Sequence, residues 1–428
     1  MNIAFYTLGC KVNQYETQAV RELFENKGYS VVTEPEKADV FIINSCTVTA
    51  ESDRKTRQAV RKFKAKNPKA ITVLMGCLPQ SSKNFAQTFS FADIVIGNSN
   101  HENLPNLVEE FIKSKNRIVE IKEHHKNEEY YTPEISSFSE HTRAFMKIED
   151  GCDRFCTYCI IPYARGFVRS KPINEIKSEA EKLALAGFSE VVLVGINLSS
   201  YGKGSNFNLF NAVKAVSEVD GIKRIRLGSL EPDLMSDELL LGLNSIEKFC
   251  PQFHLSLQSG CNATLKRMNR HYDSEFYYDL VQRIRKIFNN PAITTDIMVG
   301  FAGETEQEFK ESMDFVNKVG FAKSHIFAYS RRSGTVADKM PNQLQNSIKQ
   351  ERSHKMIELT NACELEFLKG QIGITASVLF ETKQDGFYFG YTENYTPCKV
   401  ESETDLCGQI KKVKIEGVNN NFCIGKIL

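Results

Sequence analysis

Cys152, Cys156 and Cys159 lie within the eight residues CDRFCTYC, in the spacing C-x3-C-x2-C. Three thiols this close cannot pair off among themselves without leaving one over, and one loop carrying them can wrap a single metal centre. A cubane of four irons and four sulfides normally takes four thiolates, so a loop that supplies three leaves one iron open to an outside ligand. Zinc sites ordinarily use paired C-x2-C spacings or mixed Cys/His sets, and no second pair or nearby histidine completes one here. A zinc site and a group of reduced, buried thiols are the plainer alternatives.

A second set of three is spread over the first part of the chain. The segments FYTLGC, FIINSC and VLMGC end at Cys10, Cys46 and Cys77. Each is an apolar run closed by a turn signal, the pattern of a buried parallel strand. In open α/β sheets, ligands bind beyond the carboxyl ends of the strands, so these cysteines can converge although they are far apart in sequence. Taken singly, each is more simply a buried thiol; their shared position at three strand ends suggests a metal site. Cys250, Cys261, Cys363, Cys398, Cys407 and Cys423 show no ligand-like spacing and read as ordinary thiols.

The elements that must position these residues follow from the pattern of apolar runs. Residues 1–121 alternate strands (NIAFYTL, ADVFIIN, ITVLMG, ADIVIG) with amphipathic helices, which predicts an open parallel α/β sheet. Residues 122–140 are polar and without period, a linker whose histidines are expected in solvent. In 141–369 the strand before the cysteine loop and EVVLVGIN, RIRLGS, FHLSLQSG, ITTDIMVGF and SHIFAYS make six βα units. That is an incomplete TIM-like barrel with its site at the carboxyl ends of the strands. Residues 370–428 hold five β-rich segments that predict a small β-barrel.

Turn residues recur at the ends of the central strands: Gly195 and Asn197, Ser229 and Glu231, Gln258 and Ser259, Asp296 and Gly300. Each alone is an ordinary turn former, but their recurrence round one barrel suggests a ligand. Arg165 and Arg169, just past the cysteine loop, are candidates for holding an anionic substrate. The segment 53–69 carries eight cations against one acid, either a solvated helix face or a track for phosphates.

A chain of 428 residues divides into two or three domains. Its net charge of +1 gives no global sign of a nucleic-acid partner, and no signal peptide or membrane-spanning run is visible. Twelve cysteines without such a signal suggest cytoplasmic residence, with thiols reduced or metal-bound. In 370–428, six lysines face seven acids, so charge does not favour tight phosphate binding there. Phe387, Tyr388, Phe389, Tyr391 and Tyr395 are candidate base platforms.

GCKVNQYE at Cys10, together with Cys46, Cys77 and CDRFCTYC, resembles the methylthiotransferases of the radical S-adenosylmethionine (SAM) superfamily over essentially the whole length. Asp153 and Tyr158 flank the loop cysteines as in that superfamily. The resemblance implies an N-terminal cluster domain, a radical SAM barrel and a C-terminal TRAM barrel. It implies that Cys152, Cys156 and Cys159 hold a 4Fe-4S cluster that binds SAM and cleaves it to a 5′-deoxyadenosyl radical. Cys10, Cys46 and Cys77 would hold an auxiliary 4Fe-4S cluster that carries the transferred sulfur. Tyr158, Gly195, Asn197, Ser229, Glu231, Gln258 and Asp296 are then expected to bind SAM.

KVNQYE further resembles the enzymes that act on C2 of N6-threonylcarbamoyladenosine at position 37 of tRNA, with the anticodon loop as partner and an electron donor and sulfur source required. Alternatives are isopentenyladenosine in tRNA, a ribosomal-protein aspartate or, in another class, a non-enzymatic metal-binding RNA-binding protein. Two departures from the family pattern, Ala302 in GFAGE and Lys171 after RGFVRS, leave the cluster ligands untouched.

Overall fold

The first apolar runs are short, nearly continuous and separated by helices, so each strand must be covered on both faces. The computed structural model describes residues 1–138 and 142–428; the last two residues of the expected linker, 139 and 140, lie outside the described residues. Strands β1 (Asn2–Thr7), β2 (Ser30–Val31), β3 (Val40–Ser45), β4 (Ile71–Gly76), β5 (Ile94–Ile96) and β6 (Ile118–Glu120) form one parallel sheet in the order β2-β1-β3-β4-β5-β6. Every residue of β3 and β4 is buried. The four expected strands are present, and β2 and β6 extend the sheet at its edges; at two and three residues they are too short to show a period.

Register brings the carboxyl ends of the three cysteine-bearing strands side by side: Thr7 pairs with Asn44 and Ser45 with Gly76. The helix Lys11–Asn26 leaves directly from Cys10. Its Val12, Tyr15 and Ala19 belong to the same core cluster as the central domain, so the element after Cys10 joins the two units.

The segment expected as a loose linker is fastened to that helix. Glu22 accepts from the backbone of Ser136 and Ser137, Tyr15 Oη donates to Pro133 O at 3.1 Å, and Ile135 is fully buried. His124, expected in solvent, is held by Glu128 at 2.7 Å and Asn98 at 2.9 Å, because this stretch covers the seam between sheet and barrel.

The central unit starts with β7 (Ala144–Lys147), followed by a short antiparallel pair, β8 (Glu149–Asp150) and β9 (Arg169–Ser170), that brackets the cysteine loop. Then come β10 (Glu190–Val194), β11 (Arg224–Leu227), β12 (Ser229–Leu230), β13 (Gln252–Leu255), β14 (Ala292–Val299) and β15 (Lys323–Ala328). The orders β11-β10-β7 and β12-β13-β14-β15 are joined where β11 and β12 continue through Gly228. This gives the six parallel strands of an open barrel.

A 24-residue helix, Asn346–Lys369, leads to a closed barrel of five strands, β16 (Thr375–Gln384), β17 (Phe387–Thr392), β18 (Pro397–Glu401), β19 (Ile410–Asn419) and β20 (Phe422–Ile427), ordered β16-β17-β18-β20-β19. Among the described residues no helix is long and apolar enough to cross a membrane.

Candidate active site

Each cysteine set is placed by backbone that few side chains allow. Gly9, Gly76 and Gly151, immediately before Cys10, Cys77 and Cys152, all have positive φ (143°, 103° and 89°). A Cβ on Gly76 would meet Asn44 Oδ1 at 2.5 Å and Ser45 O at 2.6 Å; on Gly151 it would meet Phe167 O at 2.0 Å. The chain therefore turns sharply into these cysteines only because glycine stands there.

The strand-end set is tied together by buried polar side chains. Asn13 Nδ2 donates to Asn44 Oδ1 at 3.0 Å, Asn44 Nδ2 returns to Asn13 O at 2.9 Å, and Ser45 Oγ donates to Met75 O at 2.7 Å. Asn13 Oδ1 also accepts from the Cys10 thiol at 3.3 Å. Cys46 and Cys77 are buried, whereas Cys10 is exposed. Burial and the neighbouring Cys77 push the Cys46 thiol up to about 12. Burial also raises Cys77, opposed by the guanidinium of Arg165.

Arg165 and Arg169, expected at the substrate, are instead part of the framework. Arg165 is fully buried: its Nη1 and Nη2 grip Glu16 at 2.5 and 3.0 Å, and its Nε donates to Cys77 Sγ at 3.2 Å. Arg169 bonds Glu128 and Asp150 at 3.0 and 3.4 Å. Burial disfavours the Glu16 carboxylate, but Arg165 and Lys147 outweigh it and hold Glu16 down at about 2. Lys147 joins Glu16 at 2.8 Å to Asp150 at 2.7 Å. One ionic network thus runs from the helix behind Cys10, past Cys77, to the residue two before Cys152.

The loop set has its own arginine. Arg270 Nη1 donates to Cys156 Sγ at 3.1 Å, and its Nη2 bonds Glu231 at 2.5 Å and Ser256 O at 3.1 Å. Burial, then the charge of Cys156, pushes the Cys159 thiol up to about 12; burial likewise raises Cys152. Arg270 gave no sequence signal, being one arginine in a turn after a short helix. Glu149 likewise carries no local sequence signal. It is fully buried, its Oε1 has no partner among the described residues, and burial holds its carboxyl well above the usual range.

The residues expected around SAM fall into two groups. Glu231 joins Arg270, whose Nη1 also lies 3.4 Å from Tyr158 Oη, beside the cysteine loop. Asn197 N donates to Glu149 Oε2 at 2.7 Å, and Gly195 is needed there because a Cβ would lie 2.5 Å from that same oxygen. Gln258 adopts φ of +69° and bridges to β14 through backbone bonds at 2.9 and 2.8 Å. Ser229 and Asp296 face a cavity farther along, where Asp296 bonds His254 at 3.3 Å.

That cavity, of about 810 Å³, is lined from all three units: Cys10 and Lys11 from the sheet domain, Gly195, Ser229, Asp296 and Phe327 from the barrel, Tyr391 and Tyr395 from the small barrel. The two tyrosines stack at 4.4 Å, with Arg143 over both rings at 5.2 and 4.8 Å and Arg226 over Tyr395 at 4.7 Å. Tyr388 is buried in the small-barrel core, and Lys399 lies 4.8 Å over Phe387; these rings do not form one open platform. On the basic helix, Lys64 and Lys66 pair with Asp93 and Glu36, while Lys55 and Lys62 are exposed.

Among the described residues, no three His, Cys, Asp or Glu side chains gather closely enough for a single metal ion. A four-iron cubane instead takes one thiolate at each iron, spreading its ligands over the cluster. Two three-thiol sets, each with an arginine directed at a sulfur and glycine-dependent backbone beside it, fit that group better than one zinc.

Residues 2–97 match the model of uncharacterized protein family UPF0004, and residues 146–316 that of the radical SAM superfamily. The chain is 37% identical to the threonylcarbamoyladenosine tRNA methylthiotransferase MtaB of Bacillus subtilis, over 96% of this chain and 93% of that protein. It is 38% identical to the MtaB of Aquifex aeolicus, over 97% and 100%. A tRNA-2-methylthio-N(6)-dimethylallyladenosine synthase of Pelotomaculum thermopropionicum is 33% identical over 96% and 94%. Among solved structures, the radical SAM methyltransferase TsrM of Kitasatospora setae shares the fold with a TM-score of 0.59 at 12% identity, over 79% of this chain and 77% of that one. Full-length likeness at this level, with both family models matched in order, means that the chain belongs to the radical SAM methylthiotransferase family.

Proposed function

We propose that this enzyme adds a methylthio group to C2 of N6-threonylcarbamoyladenosine at position 37 of tRNA, using SAM and two 4Fe-4S clusters. The observation that carries the reading is the adjacency of two incomplete thiolate sets: Arg165, from the helix after the loop set, donates to Cys77 of the strand-end set. Cys152, Cys156 and Cys159 would hold the cluster that meets SAM, and Cys10, Cys46 and Cys77 the auxiliary one. The clusters and SAM, when bound, supply a carbon radical and the methylated sulfur. Relatives at 37 and 38% identity whose names specify threonylcarbamoyladenosine support the choice of nucleoside.

The chain's own residues place the reactants. Arg270 fixes Cys156 and Glu231 relative to each other, and the network through Glu16, Lys147 and Arg165 fixes the spacing of the two sets. An anticodon-loop base is unpaired and can be splayed out at modest cost, so it can enter the shared cavity. Phe327, Tyr391 and Tyr395 offer it apolar walls. Lys55 and Lys62 are available for phosphates of the stem. A reductant and a sulfur source must come from outside the chain.

Mass spectrometry of tRNA nucleosides from a deletion strain tests this. The expected result is loss of the 2-methylthio form with accumulation of threonylcarbamoyladenosine; an unchanged pattern, or loss of a methylthio isopentenyl form instead, overturns it.

A further inference from the structure

The cavity shared by the three units is lined by three cations, Lys11, Arg226 and Lys323, and two carboxylates, Asp296 and Glu364. Four of these groups are already engaged. Lys323 bonds Glu364 at 3.0 Å, and Asp296 bonds His254 at 3.3 Å. Arg226 bonds Glu190 at 3.0 Å and donates to Glu393 O at 2.9 Å. Lys11 remains. Its Nζ lies 5.8 Å from the centre of the Phe145 ring, and among the described residues no carboxylate lies within ion-pair distance of it.

The position of Lys11 is as informative as its charge. It follows Cys10, both residues are exposed, and both line the cavity, so the cation stands beside the exposed thiol of the strand-end set. The walls around it also carry Arg226, with Arg143 just behind Tyr391 and Tyr395. A cation that lines this cavity beside Arg226, with no carboxylate paired to it, is placed to meet an anionic ligand group. Threonylcarbamoyladenosine carries such a group: the threonine at the end of its N6 arm has a free carboxylate, which an isopentenyl arm lacks.

We propose that Lys11 binds the carboxylate of the substrate's threonylcarbamoyl arm and thereby selects this adenosine over those with uncharged N6 substituents. The proposal rests on the substrate assignment above and adds the residue that enforces it. A charge pair discriminates through the group left unpaired when its partner is neutralised.

The test uses cluster-loaded protein and two anticodon stem-loop RNAs, one with threonylcarbamoyladenosine and one with its methyl ester, which differ only in the carboxylate charge. Wild-type protein is expected to bind the acid tighter by on the order of tenfold to a hundredfold. Lys11→Met is expected to bind the two alike, and Lys11→Arg to keep part of the preference. Equal wild-type affinities overturn the proposal, as does a Lys11→Met protein that keeps the preference. A uniform loss on both RNAs with the preference intact assigns Lys11 to a backbone phosphate and also overturns it. Iron content reports whether the variant retains its clusters; if Lys11→Met does not, Lys11→Gln takes its place, and the wild-type comparison stands without either. Should wild-type protein bind the acid but never methylthiolate it, the substrate assignment falls on its own account.

Discussion

Cys152, Cys156 and Cys159 come from one loop whose backbone largely places them, whereas Cys10, Cys46 and Cys77 come from three strand ends and depend on sheet register, an Asn13–Asn44–Ser45 network and an arginine from another domain. The loop set is half-buried throughout; the strand-end set buries two thiols and exposes Cys10 to the shared cavity. A local set can be moved between folds almost intact, but a dispersed set is only as good as the tertiary contacts that assemble it. The division would also suit the two tasks proposed above, one centre for SAM and the other for the substrate base.

The largest effect is expected on removing one ligand from each set. Cys152→Ala should abolish both 5′-deoxyadenosine formation and methylthiolation in the reduced, reconstituted enzyme. Cys10→Ala should leave SAM cleavage measurable while methylthiolation stops. Chromatography of both products decides, and full methylthiolation by both variants would show the roles to be misassigned.

A smaller effect is expected from the glycines, because they act on the sets through backbone. An alanine at position 151 would put its Cβ 2.0 Å from Phe167 O, and at position 76 it would lie 2.6 Å from Ser45 O. Backbone cannot swing aside, and positive φ adds a further cost of about 1–3 kcal/mol. With two four-iron cubanes the wild type holds about eight irons. Gly151→Ala and Gly76→Ala should each hold about four, with SAM cleavage lost only in the former. If Gly76→Ala also lost SAM cleavage, the two sets would not be independent folding units.

The same contrast explains what was legible in the sequence. CDRFCTYC declares itself because all its geometry lies within eight residues, and the strands announce themselves because burial on both faces imposes apolar runs. The strand-end cysteines showed only through their common position after such runs. Arg270, 111 residues beyond Cys159, and Glu149, an acid in the strand before the loop, acquire their roles through tertiary contacts that leave no local pattern. Arg165 and Arg169 misled for the complementary reason: a cation near a site reads as a substrate contact until a buried acid such as Glu16 or Asp150 is seen to claim it. The supposed linker likewise looked free because Glu22, which holds it, lies 114 residues away.

The most discriminating and mildest test exchanges the two arginines that address sulfur. Arg165→Met would leave Glu16 facing Lys147 alone, and breaking a buried pair typically costs about 3–5 kcal/mol, so lost folding would obscure its effect. Arg165→Lys keeps the charge but offers a point donor in place of a fork, so it can serve Glu16 or Cys77 but not both. The expected outcome is a rise of about threefold to tenfold in 5′-deoxyadenosine formed per methylthiolated product, with a changed electron paramagnetic resonance signal from the auxiliary cluster. Arg270→Lys should do the reverse, slowing SAM cleavage on the order of tenfold while the product ratio holds, because Cys156 and Glu231 lose their common donor. If Arg165→Lys slowed SAM cleavage as much as Arg270→Lys does, the arginines would report on one shared framework rather than on two separately tuned centres.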